Sequence, residues 1–374
     1  MPDQSFNLDF EKPLEEIRRR IEELRQAAQH GQVDLHAEIE AMEQQQQSMV
    51  RRAYANLTPW QEVLVARHPM RPQTRDYLRT TFRNFVELHG DRAFADDHAI
   101  VTGFAEVGAH RVLLVGEHKG RTVEERRVGF AGCPHPEGYR KALHKMDLAE
   151  KFGLPVVTLI DTKGAYPGTG GEERGVGPAI AANLRRMSRL RVPVVIVVIG
   201  EGGSGGALGI GIGDRVYMLQ HAYYSVISPE GCAAILWRDA SRAPEAAAAM
   251  CIASRDLKRF ELIDEIITEP VGGAHKDPEA MGRILGEVLA RALDELCAVP
   301  IDDLLARRYE RLRAIGQWEE ATEDRLREIL SPPPEPAAPE QESATPAPPE
   351  KEGEQPSEPE ADTELEHERE RAED

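Results

Sequence analysis

The apolar run "VPVVIVVIG" ends at Gly200 and passes straight into "EGGSGGALGIGIGD", where seven of fourteen residues are glycine. A continuous Val/Ile run of this kind is buried on both faces, as in a parallel sheet covered by helices. Glycine inside a strand or helix costs about 0.5–1 kcal/mol relative to alanine. So dense a cluster is retained only where something must come close to the backbone. The same texture recurs along the chain. "HRVLLVGE", "LPVVTLID" and "RVYMLQHAYYSVIS" read as further strands, with "PEGYRKALHKMDLAEKFG", "GPAIAANLRRMSRL" and "PEGCAAILWRDA" as helices between them. Each strand-to-helix junction carries glycine, in "DTKGAYPGTGGEERG", "GEGGSGGALG" and "SPEG". This alternation predicts an α/β fold built on buried strands.

Both ends of the chain differ from this body. Leu14, Ile17, Ile21 and Leu24 fall at helical spacing, Gly31 can end that helix, and "VDLHAEIEAMEQQQQSMVRRAYANL" supplies a second. Residues 1–56 therefore predict a helical arm, whose apolar stripe covers either its own core or a partner. Residues 57–317 form the α/β body, closed by "PEAMGRILGEVLARALDEL" and "DDLLARRYERLRAIGQ". Residues 318–374 begin as the end of a charged helix. From Ser331 onward there are fifteen acids against three bases and ten of the 26 prolines, so most of the net charge of −19 lies there. That composition cannot bury enough surface to offset its ordering entropy, and it predicts disorder. An acidic tail, with no basic stripe elsewhere, argues against nucleic-acid binding. No apolar run approaches the roughly 20 residues that span a bilayer. The acidic start "MPDQSFNLDFEKPLEE" does not read as a targeting peptide, so a cytoplasmic location is expected. Cys133, Cys232, Cys251 and Cys297 are scattered singly, which predicts reduced thiols and no metal site.

Three chemistries compete for the glycine junction. A phosphate loop lacks both the Gly-x-x-x-x-Gly-Lys-[Ser/Thr] pattern and a clean dinucleotide fingerprint. Gly202-Gly203-Ser204-Gly205-Gly206 satisfies Gly-x-Ser-x-Gly, and Asp214 or Asp239 and His275 follow in the order of a hydrolase triad. An oxyanion hole is the third: a helix starting at Gly205–Gly206 leaves its first N–H groups without intrahelical partners, facing any oxygen that gains charge. A second donor set would come from "DTKGAYPG". Against all three stands plain packing, which best explains Gly209, Gly211 and Gly213.

The blocks "GEGGSGGALGIGIGDRVYMLQHAYYSVISPEGCAAILW", "DTKGAYPGTGGEERGVGPAIAANLRRMSRL" and "HPEGYRKALHKMDLAEKFGLP" closely resemble the α-subunit family of bacterial acetyl-CoA carboxylase carboxyltransferases. The likeness continues through "WQEVLVARHPMRPQTRDYL", "GDRAFADDHAIVTG", "GEHKGR", "LIDEIITEPVGGAHKDPEAM" and "RRYERL", about residues 12–317 in all. It implies a crotonase-like superhelix of ββα units and transfer of a carboxyl group from carboxybiotin to acetyl-CoA, giving malonyl-CoA for fatty-acid synthesis. It also implies a β subunit in an α2β2 assembly, with zinc in that partner and no metal in this chain. Biotin would ride on a separate carrier protein, and a separate biotin carboxylase would carry the ATP chemistry. By the same resemblance Gly205, Gly206 and Ala207 form an oxyanion hole for the biotin ureido oxygen, with Gly164, Ala165, Tyr166, Gly168, Gly203 and Ser204 around it. Lys119, Arg121, Arg126 and Arg127 form a basic cluster that would suit the phosphates of CoA. The family has Asp-Thr-Pro-Gly where this chain has Asp161-Thr162-Lys163-Gly164, which puts the role of that first loop in question. Two readings of other classes stay open: a serine hydrolase using Ser204, and a crotonase-fold acyl-CoA hydratase or isomerase.

Overall fold

One sheet of eight strands organises the body: β1 (Arg83–Glu87), β2 (Ile100–Val107), β3 (His110–Glu117), β4 (Val156–Thr162), β5 (Val194–Gly203), β6 (Arg215–Leu219), β7 (Tyr223–Ser225) and β8 (Glu265–Ile267). The structure, a computed structural model, describes residues 8–30 and 35–316. The expected tail, including everything from Ser331 onward, lies outside the described residues.

The spatial order is β1-β2-β3-β4-β5-β6-β8, with β7 added on β5. The first three strands are antiparallel to one another, and the rest pair in parallel from β3 onward. All ten residues of β5 are buried, as its Val/Ile run requires. The helix Pro136–Phe152 covers the sheet; it starts with proline in its first turn and stops at Gly153, whose φ of 64° is left-handed.

One expected strand is two. "RVYMLQHAYYSVIS" is broken at Gln220–Ala222, so β6 pairs with Val195–Val198 of β5 while β7 pairs with Glu201–Gly203. Apolar continuity hid the break, because the chain stays buried through the turn at His221 and Ala222. The tip of β5 thus gains a neighbour of its own, immediately before the glycine turn.

The arm is a hairpin of two helices, Lys12–His30 and His36–Ala55, joined across by an Arg25–Glu43 ion pair at 2.7 Å. Leu14 and Ile21 are buried, and no large apolar side chain of the arm's described residues is exposed. Its base is fixed to the body. Glu11 is buried, receives the Tyr54 hydroxyl at 3.1 Å and pairs with Lys276 at 2.8 Å. Leu8, Tyr54, Leu57 and Val65 form a small cluster there. Deleting residues 1–56 uncovers Leu57 and Val65 and takes Glu11 away from Lys276. The expected loss is on the order of 2–4 kcal/mol, read as a lower melting temperature of the truncated chain. An unchanged melt would show that the hairpin is mere decoration.

The last described helix, Ile301–Ala314, is locked by Arg308, which has no exposed side-chain surface. Its guanidinium donates to both Asp214 oxygens at 2.8 and 2.6 Å, and to the carbonyls of Met187, Leu190 and Val192 at 2.8–2.9 Å. Asp214 also receives the Val194 N–H at 2.7 Å, so this one cation fastens the entry of β5 to that helix.

Candidate functional site

Strand β5 runs without a break into the short helix Ser204–Leu208, and the turn between them is unusually constrained. A Cβ on Gly203 would lie 2.8 Å from the Thr162 carbonyl oxygen and still closer to that of Lys163. A Cβ on Gly206 would meet the Gly164 carbonyl carbon at 2.5 Å and the Ala165 nitrogen. What approaches these glycines is therefore the backbone of the other glycine loop. Gly205 differs: only Ile180 Cδ1, at 3.8 Å, lies within reach of its hypothetical Cβ. Gly209, Gly211 and Gly213 pack against Tyr139, the Ala207 carbonyl and Val194, as packing glycines should.

Gly205 and Gly206 stand in the first turn of the helix, where N–H groups lack intrahelical acceptors. Among the described residues no protein group accepts from either amide. Ala207, buried, is one position further on, opposite the Gly203 carbonyl in the helical ladder. The turn is held from behind: the Tyr139 hydroxyl donates to the Gly206 carbonyl at 3.1 Å, and Asn183 Nδ2 to that of Gly209 at 3.0 Å.

In the loop after β4, two of the N–H groups expected as a second donor set are already engaged. The Gly164 N–H is bound by the Thr162 hydroxyl at 3.0 Å, and the Tyr166 N–H by the Pro134 carbonyl at 2.9 Å. Gly164 has a φ of +147°, a conformation that suits glycine. Thr162 also donates to the Gly132 carbonyl at 2.5 Å. The turn is thus pinned by threonine and glycine, while Lys163 is exposed. Tyr166 stacks on His135 with ring centroids 4.0 Å apart, its hydroxyl folded over Gly168, and Phe130 closes on His135 at 4.1 Å. Phe130 and His135 escaped the sequence reading. Phe130 and Ala131 take left-handed φ values of 47° and 52°, which nothing in their residue types announces.

Each of the four cations expected as one patch has a partner within the chain. Lys119, half-buried, lies between Asp161 Oδ1 at 2.6 Å and Glu201 Oε1 at 2.7 Å. Arg121 is clamped to Asp76 and to the Pro69 carbonyl. Arg126 and Arg127 sit on the exposed helix Val123–Val128, where Arg127 pairs with Glu124 and Arg126 donates to the Gly120 carbonyl at 3.3 Å.

Ser204 is exposed at a φ of +52°, the strained backbone of a strand-turn-helix elbow. Its supposed partners are engaged elsewhere. Asp214 is bound by Arg308, Asp239 caps the Ser241 N–H at 2.9 Å, and His275 is stacked on His68 at 3.9 Å. Burial brings the His275 imidazole down to about 2, so it is neutral at any working pH. No triad forms. Among the described residues no group of three His, Cys, Asp or Glu side chains could hold a metal ion, and no helix is long and apolar enough to cross a membrane.

The fold is similar to that of the transcarboxylase 12S crystal structure, with a TM-score of 0.50 at 20% identity, covering 61% of this chain and 42% of that one. Sequence relatives are far closer. The acetyl-coenzyme A carboxylase carboxyl transferase subunit alpha of Burkholderia multivorans is 53% identical over 315 residues, 84% of this chain and 98% of the relative. That of Burkholderia vietnamiensis is 52% identical over the same shares. The family model for acetyl co-enzyme A carboxylase carboxyltransferase-like proteins matches residues 7–316, spanning the arm, the sheet and both glycine loops. With the hydrolase elbow disarmed and near-full-length identity above one half, the chain belongs to the α-subunit family of the acetyl-CoA carboxylase carboxyltransferases.

Proposed function

We propose that this chain, with a β subunit, transfers the carboxyl group of carboxybiotin to acetyl-CoA and so forms malonyl-CoA. The observation that carries the reading is the identity of 53% across 98% of a carboxyl transferase α subunit, running through both glycine loops. Carboxybiotin, borne on a separate carrier protein, supplies an activated carboxyl whose departure leaves negative charge on the ureido oxygen. The residues present suit such a group. Gly205 and Gly206 offer two unengaged N–H groups, and the open side of Gly205 leaves room for a ring. A donor of this kind typically contributes about 2.7–4 kcal/mol to the transition state. The carboxylates at the ends of the three neighbouring strands, Glu117, Asp161 and Glu201, are all buried.

The test is co-expression with a candidate β subunit and assay of malonyl-CoA formation from carboxylated carrier protein. A folded, assembled pair that forms none overturns the reading. Ser204→Ala is expected to keep transfer within about threefold of wild type, and an activated fluorophosphonate is expected to leave the chain unlabelled. Stoichiometric labelling at Ser204 would restore the hydrolase instead.

A further inference from the structure

Three strands end on an acid: β3 at Glu117, β4 with Asp161 one residue from its end, and β5 with Glu201 just before its last two glycines. All three are buried, and two of them, Asp161 and Glu201, share one ammonium group. Lys119 Nζ lies 2.6 Å from Asp161 Oδ1 and 2.7 Å from Glu201 Oε1. Glu201 Oε2 receives Arg67 Nε at 2.7 Å and the Tyr223 hydroxyl at 2.6 Å. Arg67 passes the connection on to Glu230 at 2.5 Å, at the start of the helix Pro229–Trp237. Glu117 Oε2 accepts the Asp161 N–H at 3.0 Å. The cluster therefore links the ends of β3, β4, β5 and β7.

Its location decides its meaning. The β4–β5 ladder is regular up to Ile160 and Val198, then shifts register before resuming at Thr162 and Gly202. Bulges of this kind re-aim the chain beside active sites. In that gap the Glu201 N–H is taken by a side chain, Asp161 Oδ1 at 2.9 Å. Gly200 has no side chain because Asp161 fills the place of its Cβ. The two glycine loops begin immediately beyond, at Lys163 and Ser204, and touch backbone to backbone. Their relative position is thus set by carboxylates and a lysine where the backbone ladder lapses. Burial alone would raise the Glu201 carboxyl, but Lys119 and Arg67 override it and bring it down to about 2, so the group stays charged.

We propose that Lys119, Asp161 and Glu201, joined by Arg67 and Tyr223, are positioning residues for carboxyl transfer: they touch no substrate and hold the Gly205 and Gly206 amides in register with the loop at Gly164. This rests on the assignment of those amides as the oxyanion donors. Misplacement by about 1 Å costs on the order of a hundredfold in rate, so a small shift at the cluster is felt at the turn.

The experiment uses Glu201→Gln in the full α–β complex. Each Glu201 oxygen faces donors only, so an amide must turn its NH2 toward either Lys119 or the Arg67–Tyr223 pair and release that side. The expected result is a fall in kcat of about tenfold or more with KM for acetyl-CoA within about twofold. Amide resonances of Gly164, Gly205 and Gly206 should move together in the isolated chain. Should Glu201→Gln fail to fold, Tyr223→Phe removes one donor from the same oxygen, with a kcat loss of about threefold or more and the same resonances moved. A lower melting temperature with wild-type kcat per folded molecule and unmoved resonances would overturn the proposal, because the cluster would then serve stability alone. The resonances report the placement without any assay of transfer. Moved resonances beside a wild-type complex that makes no malonyl-CoA would therefore sink the functional reading and spare the geometric one.

Discussion

Gly205→Val is expected to slow carboxyl transfer at least about a hundredfold in the assembled complex, on the scale of losing one oxyanion donor, while the melting temperature stays near wild type. The side chain would enter open space, since only Ile180 Cδ1 lies within 4 Å of the Cβ position, at 3.8 Å. It therefore obstructs an approaching ring without straining the fold. Gly206→Val serves as the contrast. Its Cβ would meet the Gly164 carbonyl carbon at 2.5 Å, so the two loops must separate and both rate and stability should fall. Malonyl-CoA formation and thermal melts on the same preparations separate the two variants. A Gly205→Val complex working at full rate would show that nothing reacts at this turn.

Arg308→Met is expected to cost about 3–5 kcal/mol of stability, since it leaves the Asp214 carboxylate buried without its partner. The loss is larger than for a surface ion pair, whose usual value is about 0–1 kcal/mol. Three carbonyls lose a donor as well, those of Met187, Leu190 and Val192. The double change Arg308→Met with Asp214→Asn should recover part of that loss by removing the stranded charge, although the new amide must still accept the Val194 N–H. Denaturant or thermal unfolding of wild type and both variants measures it. Equal stability of Arg308→Met and wild type would mean that the guanidinium is not what holds the helix Ile301–Ala314.

The sheet was legible wherever burial wrote a continuous Val/Ile run, as in β3, β4 and β5. It was not legible where apolar character persisted through a turn, which fused β6 and β7, or where strands were as short as β8. The glycine turn was legible as a special backbone. Its cause was read only in part, because residue types do not say which backbone lies opposite: for Gly203 and Gly206 it is the Lys163–Ala165 loop. Lys119 reads in sequence as a cation for a ligand, but two carboxylates hold it. The signal for that cluster was present in "VGE", "LID" and "IGEGG", three strand runs that each close on an acid. Buried carboxylates at such places need a counter-ion, and Lys119, two residues after Glu117, supplies it to Asp161 and Glu201.

The bond between Arg308 and Asp214 also has a consequence for the order in which the molecule is made. The two residues are 94 positions apart, and the carboxylate borders the central strand. A chain emerging from the ribosome offers β5 and Asp214 long before the guanidinium exists. Until the helix Ile301–Ala314 has been synthesised, the Asp214 carboxylate at the entry to β5 has no guanidinium to pair with. The sheet can assemble early, but its closure waits on the last helix described above. Nascent chains arrested short of residue 308 should therefore remain open to protease near Val192–Val194, and those extended until Arg308 has left the ribosome should not.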